Sequence, residues 1–217
     1  MSIANNMPQE YNNYKIIGTG NDIYGKPRLE LAVELRDNIL SHIKHPWFIE
    51  NGTLLGAWRN NKFIKLDDDF DYALLIDNDL PPKETINTIY EYIKKNLNKK
   101  YECRLISTYS DKIEIYDPEF GKYPLAEKYG GADYHYVSID LQFYKKINES
   151  NYQSMYYISS FNSMVDTKVI LPLQKIELEN YLFPAPFDTK TFLINHYGNL
   201  DEKAKYNNKT GKYHLIR

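Results

Sequence analysis

Four aspartates within five residues, Asp67, Asp68, Asp69 and Asp71, form the densest group of hard oxygen donors in this 217-residue chain. Carboxylates at this spacing repel one another unless a cation sits among them, and such ligands suit Mg2+ or Mn2+. An acidic run is ordinarily a solvated loop. This one instead runs into Tyr72-Ala73-Leu74-Leu75-Ile76, which has the character of a buried strand. Asp69 and Asp71 are two apart and point to one face of an extended backbone, while Asp67 and Asp68 set the loop or face solvent. Upstream, Asn51-Gly52-Thr53 leads into Leu54, Leu55 and Trp58 at helical spacing. A helix starting at Gly52 and Thr53 presents unpaired amides to an anion, and a plain tight turn is the competing reading. Arg59 and Lys65 lie between the two motifs. Either can neutralise phosphates, and for Arg59 a surface salt bridge is the competing reading.

A fifth aspartate, Asp140, falls in the middle of a strand expected over 134–144. There His135, Val137, Ile139, Leu141 and Phe143 alternate with Tyr134, Tyr136, Ser138, Asp140, Gln142 and Tyr144. In isolation, Asp140 reads as a strand carboxylate facing water. If the strand lies beside 71–76, Asp140 joins Asp69 and Asp71. Three carboxylates can hold one or two divalent ions, as in-line phosphoryl displacement requires. The reaction class favoured is transfer of a phosphorus-containing group from a nucleotide-linked donor.

The surrounding elements are readable in outline. Pro27 can open a helix carrying Leu31, Leu35, Ile39 and Ile43, which ends near Pro46. Trp47-Phe48-Ile49 is a short strand, and Ile86, Ile89, Tyr90, Ile93 and Leu97 mark another helix. Residues 101–108 and 112–116 are a hairpin, 117–133 a loop, 155–159 a short strand, and 160–169 irregular. A hairpin over 172–187 turns at Glu179-Asn180, and a helix capped by Asp188 ends at Gly198. Interspersed strands and helices indicate α+β or a mixed sheet. Residues 1–25 read as a polar arm and 26–217 as a single domain. A net charge of -2 gives no nucleic-acid footprint. The single cysteine, Cys103, excludes an internal disulfide framework and a cysteine-based zinc site within one chain. No signal-like segment or apolar membrane span is visible, so a cytoplasmic protein is expected. Oligomeric state is left open.

Asn51-Gly52-Thr53-Leu54-Leu55-Gly56-Ala57-Trp58-Arg59, with Phe63-Ile64-Lys65-Leu66-Asp67-Asp68-Asp69-Phe70-Asp71, is similar to the signature of the LicD family, which includes bacterial phosphocholine transferases, fukutin and fukutin-related protein. Lys65-Leu66 stands where Pro-Trp is usual. Leu171-Pro172-Leu173, Phe183-Pro184-Ala185-Pro186 and His196-Tyr197-Gly198 resemble the family's C-terminal pattern, and Ile139-Asp140-Leu141 its strand aspartate. Together the matches span about residues 28–210. The resemblance implies a polymerase-β-like nucleotidyltransferase fold, with Asp69, Asp71 and Asp140 holding Mg2+ or Mn2+. It also implies transfer of a phospho-alcohol, phosphocholine- or ribitol-phosphate-like, from a CDP-linked alcohol to a glycan acceptor, with release of CMP. Two alternatives stay open: a DxD nucleotide-sugar glycosyltransferase, and a non-catalytic nucleotide-binding module on the same fold.

Overall fold

The computed structural model describes residues 20–77, 79–107, 110–123, 134–155, 164–207, 210 and 212–215. In chain order the elements are helix α1 (Asn21–Asn38), strand β1 (Trp47–Ile49), α2 (Asn51–Asn60), β2 (Asp71–Ile76), α3 (Pro82–Asn96), β3 (Glu102–Ile106), β4 (Lys112–Tyr116), β5 (Lys122–Tyr123), β6 (Tyr134–His135), β7 (Ser138–Asn148), β8 (Asn151–Ser154), β9 (Met164–Asp166), α4 (Thr167–Ile170), β10 (Gln174–Leu178), β11 (Tyr181–Ala185), α5 (Thr189–Tyr197), β12 (Lys205–Asn207) and β13 (Lys212–His214). The fold is α+β, a curled mixed sheet flanked by helices, with strand order β1-β2-β7-β4-β3. Strand β2 runs parallel to β7, and the other pairings within this sheet are antiparallel. The sheet turns on β7, whose first residues pair with β4 and whose last pair with β8.

Strand β2 is buried along its whole length, so its alternating side chains feed two packed faces. On one, the Tyr72 hydroxyl donates to the Ala32 carbonyl of α1 at 3.0 Å, and Phe70 and Phe183 pack beside it. On the other, Phe48 and Tyr144 meet Phe192 of α5. The α3 stripe behaves as its spacing predicts, with Ile86, Ile89 and Ile93 buried. The turn of the β10–β11 hairpin has positive φ at both Glu179 and Asn180, the twist that two-residue hairpin loops favour. Among the described residues, no helix is long and apolar enough to cross a membrane.

Three expectations change. Helix α1 begins at Asn21, and Pro27 lies inside it. Its first-turn amides are satisfied by the loop before β2, Asn21 N–H to the Asp67 carbonyl at 2.9 Å and Asp22 N–H to that of Lys65 at 3.1 Å. This non-local support leaves no mark in the local pattern. The strand expected over 134–144 is two strands, because residues 136–137 bend between β6 and β7. Met155 is not in a strand and 156–159 lie outside the described residues, whereas 164–170 forms β9 and α4 rather than irregular chain. Of the 117–133 loop, residues 124–133 also lie outside the described set.

Candidate functional site

The parallel pairing of β2 with β7 sets Asp71 directly opposite Asp140, and the Asp140 N–H donates to the Phe70 carbonyl at 2.8 Å. Paired residues share a face, so both carboxylates rise on the same side of the sheet. Asp69 approaches from the chain entering β2. The ligand oxygens of Asp69, Asp71 and Asp140 lie within 4.8 Å of one another. That matches the span across one divalent ion, about twice a metal–oxygen bond of roughly 2.0–2.6 Å. A second grouping, Asp67, Asp68 and Asp69, meets the same limit and shares Asp69.

The first turn of α2 clamps the start of β2. Thr53 Oγ1 accepts from the Asp71 N–H at 3.0 Å, and the Glu50 N–H donates to the Asp71 carbonyl at 3.1 Å. A methyl group on Gly52 would fall inside 3.0 Å of the Asp67 carboxylate, and one on Gly56 inside 3.0 Å of the Lys62 carbonyl. Two glycines four residues apart therefore let the acidic loop lie flat on one side of α2. Arg28, fully buried, holds that loop from below. It donates to Asn21 Oδ1 at 2.8 Å, the Asp67 carbonyl at 3.3 Å and the Tyr136 carbonyl at 2.5 Å. It thus ties the acidic loop to the chain leading into β7.

The result is a cleft of about 260 Å3 whose lining includes Gly52, Asp67, Asp68, Asp69, Asp71, Asp140, Lys112 and Tyr197. Burial, then the neighbouring carboxylates, pushes Asp69 and Asp71 well above the usual carboxylate range. Burial also raises Asp140, against the pull of Lys112, whose ammonium contacts Asp140 Oδ2. Burial and then Asp68 bring Asp67 up to about 7. Beneath them Glu50 is fully buried, accepts from the Tyr144 hydroxyl at 2.9 Å and is pushed up to about 8 by burial. Its Oε1 and Asp67 Oδ2 have no hydrogen-bond partner among the described residues. Buried and half-buried carboxylates with raised proton affinity, and Lys112 as the one cation among the described residues of the lining, form a donor set that fits a hard divalent ion.

The LicD/FKTN/FKRP nucleotidyltransferase domain matches residues 44–188, more than half of the chain and all of the carboxylates just described. This chain belongs to the LicD/FKTN/FKRP family. Family membership implies a transferase. No curated protein matches the chain.

Against the LicD-type motif, the structure brings Asp69, Asp71 and Asp140 together and puts Gly52 in the cleft wall. Thr53 stands behind that wall, with its hydroxyl bound to the Asp71 amide. Arg59 and Lys65 are not brought in. Arg59 Nε donates to the Leu200 carbonyl at 2.9 Å, anchoring α2 to the C-terminal segment. The Lys65 side chain is 77% exposed, and its ammonium lies 4.0 Å from the Asp22 carboxylate. It lines a separate depression with Lys26, Lys62 and Phe63. Asp67 sets the loop through its backbone bonds to Asn21 and Ile64, and both Asp67 and Asp68 also line the cleft. Sequence reasoning missed Lys112, Arg28 and Glu50. The alternation Lys112-Ile113-Glu114-Ile115 signals only a strand with one charged face, and Arg28 sits on an otherwise ordinary amphipathic helix.

Proposed function

We propose that this chain transfers a phospho-alcohol, of the phosphocholine or ribitol-phosphate kind, from a CDP-activated donor to a sugar hydroxyl of a glycan, releasing CMP. The proposal includes a polymerase-β-like arrangement of the sheet and Mg2+ or Mn2+ held by Asp69, Asp71 and Asp140. The observation that carries it is the convergence of these carboxylates from the parallel pair β2 and β7, beside the first turn of α2, in a chain of this family. A divalent ion bound there supplies Lewis-acid stabilisation of the charge on the attacking and leaving oxygens. In the reaction an acceptor-oxygen–phosphorus bond forms and the bond from that phosphorus to the CMP oxygen breaks. Asp140 takes the acceptor proton. Gly52 leaves room for the acidic loop against α2, and Thr53 fixes the direction in which Asp71 leaves the sheet.

The test is the nucleotide released when the protein is offered CDP-choline, CDP-ribitol, UDP-sugars or GDP-sugars with a glycan acceptor and Mg2+ or Mn2+. CMP is expected. UDP or GDP would instead favour a DxD glycosyltransferase. Failure of calorimetry to detect either divalent metal or cytidine nucleotide would revive a non-catalytic module.

A further inference from the structure

We propose that Lys112 is a phosphate-binding residue of the cleft, its ammonium shared between Asp140 and an anionic phosphate of the donor. The inference rests on the transferase reading above and adds to it a residue outside the family signature quoted for this chain. Lysine is seldom buried unless paired, and the Lys112 side chain is only 7% exposed. Its partner, Asp140, is one of the three converging carboxylates, and Lys112 lines the cleft with them. Among the described residues, Lys112 is the one cation in that lining, facing five aspartates. A phosphate entering past those carboxylates is repelled by each of them and attracted by this ammonium.

The position of Lys112 is fixed by the sheet. Strand β4 is held between β3 and β7, with Ile106 opposite Lys112 and Glu114 opposite Asp140. Glu114, the one carboxylate of β4, is committed elsewhere, to Arg104 and His135. Lys112 is therefore not needed to neutralise it. An ammonium has three donors. Among the described residues the Lys112 ammonium makes one hydrogen bond, to Asp140, and lies over the Tyr134 ring at 5.8 Å from its centroid. Ser110 and Gln142, bonded to each other at 2.9 Å, form a neutral polar wall beside it.

A lysine that only neutralised Asp140 would behave differently from one that also binds phosphate, and two probes separate them. In Lys112→Met, Mn2+ followed by electron paramagnetic resonance is expected to bind at least about threefold more tightly, because the ammonium competing for Asp140 is gone. Pyrophosphate, titrated calorimetrically as its Mg2+ complex, is expected to bind about tenfold more weakly. Lys112→Gln, which keeps a polar head without the charge, is measured in the same way should the methionine variant fail to fold. Weaker Mn2+ binding, or pyrophosphate affinity within twofold of the wild type, overturns the assignment. Pyrophosphate reports on the phosphate site whatever the nucleotide. A wild type that binds Mn2+ and pyrophosphate but no cytidine nucleotide would thus overturn the donor reading and leave Lys112 in place.

Discussion

The loop between α2 and β2 carries Lys62 and Lys65 on its outer side, whereas β4 carries Lys112 on the inner side of the sheet. The loop lysines are close to the aspartates in sequence and turned away from them in space. Lys65 is solvated, and an exposed pair such as Lys65 with Asp22 contributes little. Lys112 is some forty residues from the motif, yet it contacts one of its carboxylates. A loop can present its two sides to different clefts, while a strand between two neighbours has no such freedom. The cation that matters to the cleft is therefore the one whose position the sheet fixes.

The largest expected effect is at the acidic side of this contrast. Asp71→Asn should lower metal-dependent CMP release by about 10³-fold, the scale of removing a principal transition-state electrostatic group. An unchanged rate would mean that the chemistry lies elsewhere. Next comes the support beneath the loop. Arg28→Met strips buried donors from the Asp67 and Tyr136 carbonyls and should cost roughly 3 kcal/mol in urea unfolding. Arg59→Met, which loses one bond to the Leu200 carbonyl, should cost about 1 kcal/mol. Equal losses would remove the distinction between the arginine that holds the acidic loop and the one that anchors the C-terminal segment.

Proton linkage is the third and smaller effect. Burial holds Glu50 at about 8, and burial with Asp68 beside it holds Asp67 at about 7. A carboxyl raised above its unfolded value binds protons more tightly in the native state. Its contribution is complete below about pH 4 and is lost as pH rises through the folded value. His196, lowered to about 4 by burial and then Lys212, opposes this only below about pH 6.5. With EDTA present, the unfolding free energy should therefore fall by roughly 1–2 kcal/mol between pH 6.5 and pH 8. Glu50→Gln should flatten that slope, and Mg2+ should restore more stability at pH 8 than at pH 6.5. The smallest effect belongs to the outer lysine. Lys65→Ala should shift the melting temperature by no more than about 1 °C and leave CMP release within about twofold. A tenfold loss of release would put Lys65 back at the site.

Much of this arrangement is legible in the chain. Strand β2, where Tyr72 to Ile76 follow Asp71, the Glu179-Asn180 turn and the Asp188 cap of α5 depend on neighbours in sequence, and each forms where its residues indicate. Asp69 and Asp71 converge from a bend ahead of β2 and from its first residue, not from two positions of one strand. Asp140 is half legible, since its strand can be read but its partner strand cannot. What escapes is set by non-local contacts. Lys112 reaches Asp140 only because β4 lies antiparallel to β7 in a register that places Glu114 opposite Asp140. The first turn of α1 exists on carbonyls borrowed from residues 65 and 67. The bend at 136–137 ends the alternation expected to put His135 on the apolar face. His135 instead stacks on Tyr116 beside Glu114. Arg59 and Lys65 misled because nearness to an acidic motif along the chain says nothing of which way a loop turns them.

The central claim is that Asp140 of β7 and the two aspartates entering β2 act as one metal-holding set. A Mn2+ titration of the wild type and of Asp140→Asn, followed by electron paramagnetic resonance with circular dichroism to confirm the fold, tests it most directly. The account predicts saturable Mn2+ binding in the wild type and at least about a tenfold loss of affinity in the folded variant, the order expected when one of three charged ligands is removed. Wild-type affinity in a folded Asp140→Asn protein would contradict it.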